Sequence, residues 1–210
     1  MNPPKMTNPR RLLWLLGLLI LPFVSCSQSS SSDINYDAMF HDAEQLILEA
    51  KWREAHFLLR IFLKENPSHP GAHFYLGRSY LFLADDFRPT IAEGELQTAL
   101  ALYRENGNNS FIDRFDSPNY FEIICNIEST KVAMKEYAFL LEFNAHPTIM
   151  QDSLQRARFY VEEARKVAPN NKDVLDYDSY VRSLEEPTFS KATLRNMAWT
   201  WLLHPYKVAA

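Results

Sequence analysis

Glycine and cysteine are scarce in this 210-residue chain, at five and two residues, and each scarcity removes a class of explanation. Glycines so scattered cannot build a phosphate-cradling loop. No segment alternates apolar and polar residues between turn residues, so strands have no support. Gly-x-Ser-x-Gly, His-Glu-x-x-His and Cys-x-x-Cys are all missing, and with them the short signatures of a serine hydrolase, a zinc protease and a dithiol centre. Neither an enzyme nor a cofactor is expected. His69 and His73 lie four apart, but Pro70 and Gly71 between them favour a solvated turn over a helical metal pair, and no metal site is expected.

What is present begins at the N-terminus. Lys5, Arg10 and Arg11 precede an apolar run from Leu12 to Val24, with no acid among them. As a helix this run rises only about 20 Å, short of the roughly 30 Å hydrocarbon core, so a cleaved signal fits better than a permanent span. The run closes as Leu21-Pro22-Phe23-Val24-Ser25-Cys26, and Ser27-Gln28-Ser29-Ser30-Ser31-Ser32 follows. This resembles the lipobox of bacterial lipoproteins. The resemblance implies a signal peptide over 1–25, lipid on Cys26, and attachment at the cell envelope, on the periplasmic face of an outer membrane or the cell surface. Residues 26–34 then read as a flexible tether.

Without residues 1–25 the chain holds 19 Lys and Arg against 26 Asp and Glu, a net of −7, which argues against nucleic acid as a partner. If Cys26 carries lipid, Cys125 has no intramolecular disulfide partner. Set among Phe121, Ile123, Ile124 and Ile127, it reads as a buried structural thiol.

Residues 35–186 are expected to be all helical. Phe40, Ala43, Leu46, Ile47 and Ala50 share one helical face, and Ala55, Leu58, Leu59 and Phe62 share the next. Only Lys51-Trp52-Arg53 separates them, which makes a hairpin, and Asn66-Pro67 ends the second helix. Twelve residues run from Ala43 to Ala55, twelve more to Pro67, ten to Gly77 and three to Tyr80. That spacing resembles the tetratricopeptide repeat, with small residues where helices cross closely. Ala157, Ala164 and Pro169 repeat the pattern of a second helix. Ala92, Leu96 and Ala99 do so only with about three residues inserted around Asp85 to Pro89. Asn106–Pro118 reads as a polar loop, and Tyr120–Phe143 as one long helix. A generic helical bundle is the plainer alternative to an α-solenoid with an irregular middle.

The repeat resemblance implies a concave surface that binds a peptide segment or an envelope protein, with Phe40, Glu44, Ile47, Phe74, Arg78 and Phe82 facing it. The same six residues are equally well accounted for as core. A rival class is a solute-binding or enzyme-accessory lipoprotein, with a small-ligand pocket shaped by residues 85–118. The C-terminal stretch 187–210 is basic: no acid follows Glu186, whereas Lys191, Arg195 and Lys207 do. Ser190 can cap a helix there that carries Trp199 and Trp201. Three roles stay open for it: a cap over the last repeat, an interfacial membrane contact, or a docking segment.

Overall fold

A computed structural model describes residues 35–83, 85–106, 111–115, 117–185 and 189–202, without the side chains of 106, 118, 201 and 202. The expected signal peptide, Cys26 and the expected tether lie outside the described residues. Among these residues the chain is all helical: α1 (Tyr36–Leu48), α2 (Trp52–Glu65), α3 (Pro70–Phe82), α4 (Pro89–Asn106), α5 (Pro118–Glu142), α6 (Pro147–Val167), α7 (Lys172–Leu184) and α8 (Lys191–Leu202). A 3-10 turn, Ile112–Arg114, precedes α5. None of the described helices is long and apolar enough to cross a membrane.

Short polar side chains start the helices. Asn35 accepts from the Ala38 N–H at 3.1 Å, Asn171 from Val174 at 3.2 Å and Ser190 from Thr193 at 3.2 Å. At α3 and α6 a histidine takes that role, just before a proline: the His69 ring accepts from the Ala72 N–H at 3.0 Å, and the His146 ring from Thr148 at 3.4 Å. The turn after α1 differs from expectation. Ala50 does not extend the apolar face but sits at φ 57°, and Trp52 already belongs to α2. The Lys51 N–H reaches the Leu46 carbonyl at 2.8 Å and the Ala50 N–H reaches Ile47 at 3.0 Å, closing a Schellman turn. Asn144, at φ 51°, does the same after α5.

Each helix from α1 to α7 packs on the next in sequence, and α5 also touches α3 and α7. Small residues mark the close contacts: Ala43, Ala55, Ala92, Ala99, Ala157 and Ala164 are fully buried. A Cβ on Gly77 would lie 2.8 Å from Leu96 Cγ and 3.0 Å from the Ala92 carbonyl oxygen, so α3 meets α4 where no side chain fits. The central helix α5 is buried almost all round, including Glu128, Lys131 and Lys135. Cys125 is buried on it, and that burial pushes its thiol pKa up. On the other side Arg156 of α6 binds Glu93 of α4, Glu136 of α5 and, at 3.1 Å, Asp152, tying three helices together.

The C-terminal helix α8 lies mainly against α5 and only slightly against α7. Ala198 is buried there, Trp199 meets Phe139 edge-on at 5.7 Å, and Lys191 donates to the Asn144 side chain at 3.2 Å. A partner on α5 exists for α8 because the Phe139 face of that long helix is apolar. Trp201 has no described side chain.

Candidate functional site

A groove of about 730 Å³ opens between α1, α3 and the segment 111–115. Ile47, Leu48, Trp52, Tyr75, Phe111 and Phe115 supply its apolar lining, and Glu44, Arg78 and Arg114 its charges. Leu48, 78% exposed on the last turn of α1, marks how open it is to solvent.

The third wall is where the expected polar loop is overturned. Phe111, Ile112 and Phe115 are buried, because Phe111 docks over the start of α3. A Cβ on Gly71 would meet the Phe111 ring at 2.6 Å, so only glycine admits it. Phe111 then packs against Phe40, Tyr75, Phe115 and Phe121, with ring centroids 5.4 to 6.0 Å away. Such aromatic pairs give the wall a fixed place. Arg114 leans on the wall, its guanidinium 5.5 Å from the Phe111 ring, and crosses to α1 by donating to Glu44 at 2.6 Å.

The floor is charged. The Arg78 guanidinium lies 5.6 to 5.9 Å from the rings of Trp52, Phe74 and Phe82, and Trp52 stacks on Phe82 at 4.3 Å. Arg78 Nε is 3.3 Å from the buried Glu128 carboxylate, which Lys131 approaches at 3.5 Å. Burial holds the Lys131 pKa below the ordinary lysine value despite Glu128. Burial likewise pushes the Tyr75 phenol up to about 12, so it faces the groove as a neutral hydrogen-bonding group.

Of the six residues expected on a concave surface, Glu44, Ile47 and Arg78 line this groove. Phe74 is 0% exposed and Phe40 is also buried. Both belong to the core and support the lining from behind, because neighbouring rings cover them. Phe82 is half-buried behind Trp52. Trp52, expected in the linker, and Phe111, Arg114 and Phe115, expected in a polar loop, also line the groove. The spacing of Phe111 and Phe115, four apart, was the available signal.

The two spaced histidines serve separate contacts. His69 caps α3, and burial lowers its pKa. His73 bonds Glu95 at 2.6 Å and the Pro67 carbonyl at 2.8 Å. Burial opposes its charge, but these bonds prevail and raise its pKa. Among the described residues no cluster of His, Cys, Asp and Glu is placed to hold a metal ion. No protein-family model and no curated protein matches this chain.

Proposed function

We propose that the chain is a lipid-anchored adaptor of the bacterial cell envelope, a tetratricopeptide-like repeat domain that holds a partner segment in the groove between α1 and α3. The open, preformed and mostly apolar groove carries this reading, since such a surface suits an amphipathic helix or an extended apolar segment. The repeat assignment is supported by small buried residues at Ala43, Ala55 and Gly77, and again at Ala157 and Ala164. Three hairpins, α1 with α2, α3 with α4 and α5 with α6, are then the units, and α7 and α8 complete the array. Cys26 supplies the address. Buried acyl chain contributes about 0.8 kcal/mol per methylene, so two or three chains would hold the domain stably at a membrane.

Two measurements test the proposal. Labelled palmitate should enter the wild-type chain and not Cys26→Ser; equal labelling removes the anchor. Recovery of partners from the organism's own membrane fraction should fall for Leu48→Gln and stay unchanged for Phe159→Gln, an exposed residue outside the groove. Equal recovery by both variants removes the groove.

One observation favours a second reading, a small-ligand pocket of a solute-handling lipoprotein. The irregular segment builds a whole wall of the groove, and the volume lies within the roughly 300 to 1,000 Å³ of small-molecule sites. Native mass spectrometry of the chain from its own cells would then find a stoichiometric adduct, lost in Tyr75→Ala.

A further inference from the structure

We infer that the groove selects an apolar segment carrying an acidic residue, and that Arg114 and Arg78 are the side chains that read the acid. The inference rests on the segment-binding proposal and specifies the chemistry of the partner. Among the side chains lining the groove, two guanidiniums stand against the single carboxylate of Glu44. A lysine or arginine in the incoming segment would bring like charge against both. A glutamate or aspartate would meet planar donors suited to carboxylate geometry.

The two arginines differ in a way that assigns their roles. Arg78 is already fixed by three aromatic rings and by Glu128 beneath it, so little side-chain entropy remains to be lost when a partner arrives. Its guanidinium places a positive charge at the floor of the groove, partly balanced by Glu128 beneath it. Arg114 has a side chain 53% exposed at the mouth and a carboxylate partner, Glu44, borne on the facing helix. An incoming carboxylate at the mouth would meet the same guanidinium, with Glu44 remaining on its Nη1 side. Arg114 is borne on a wall docked against Gly71, outside the helical hairpins. The part of the selection made by Arg114 therefore belongs to this chain's irregular segment, and the part made by Arg78 to α3.

The rest of the groove limits what flanks the acid. Ile47, Leu48, Trp52, Tyr75 and Phe115 offer aliphatic and aromatic surface, which calls for apolar residues on either side of it.

The test uses the full chain carrying Cys26→Ser and a panel of fluorescein-labelled decapeptides of Leu, Phe and Ala, each made with a central Glu, Gln or Lys. Fluorescence anisotropy should show Glu peptides binding about tenfold tighter than their Gln counterparts, the scale of one charge-assisted hydrogen bond, with Lys peptides weakest. Arg114→Met should cut the preference for Glu to the part that Arg78 carries, and Arg114→Lys should restore some of what is lost. Equal binding of Glu and Gln peptides, all weakened by Leu48→Gln, would overturn acid selection and leave the groove as a purely apolar site. Binding that Leu48→Gln does not weaken, or no binding by any peptide, would overturn the groove reading and this inference with it.

Discussion

Ala50 occupies a backbone conformation that suits glycine. Its φ of 57° places a Cβ in the left-handed region, at a position where helices commonly end in glycine. Ala50→Gly should therefore raise unfolding stability by about 0.5 to 1 kcal/mol, measured by urea denaturation, since relief of strain outweighs the added freedom of the unfolded chain. His69 offers a test by pH. Its ring accepts the Ala72 N–H and must be neutral to do so, and its folded pKa is lowered from the ordinary value of 6.5. A group with that shift binds its proton more readily when unfolded, so its contribution is present above pH 6.5 and is lost as pH falls below it. His73, with a raised pKa, works in the opposite sense: its contribution is present below pH 6.5 and fades as pH rises above it. His69→Asn keeps a capping acceptor that cannot be protonated. The variant should start lower at pH 7.5, because the ring contacts of His69 with Phe40 and Phe62 are gone, and should lose less stability than the wild type between pH 7.5 and pH 5.

At the scale of elements, the segment 111–115 has more influence on the site than its length suggests. Its place depends on one glycine, so Gly71→Ala should displace Phe111 and expose the aromatic cluster. The loss should be about 1 to 3 kcal/mol, the usual cost of overpacking, and intrinsic tryptophan fluorescence should report a change near Trp52. Helices α1 and α2 were legible because each writes its buried face at three and four spacing. The long helix expected at 120–143 runs Pro118–Glu142, and Ala92, Leu96 and Ala99 all turn inward on α4. The wall was barely marked, because a short aromatic plug between polar residues offers only the single Phe111 to Phe115 spacing and no sustained periodicity. The buried charges of α5 were hidden for a related reason. Glu128, Lys131 and Lys135 look like a solvated stripe until the packing of α3 and α7 closes over them. The same limit applied to the expected concave residues: helical spacing finds a face, but only neighbours decide whether Phe74 lies behind the surface and Leu48 on it.

At the scale of the whole molecule, the proposed function needs both an address, which lipid on Cys26 would supply, and a surface, which the groove between α1, α3 and 111–115 would supply. Acidic charge dominates the domain, yet the groove gathers two arginines, so local and overall charge differ in sign at the place proposed to bind. Screening at physiological salt, over about 8 Å, lets such a local patch act against the background. The most direct measurement is site-specific photocrosslinking in living cells, with a benzophenone amino acid placed in turn at Leu48 and Phe115 in the groove and at Phe57 and Phe159 outside it. The account predicts a discrete crosslinked product from Leu48 and Phe115 and none from the other two. The same product from all four positions, or from Phe57 and Phe159 alone, would contradict it.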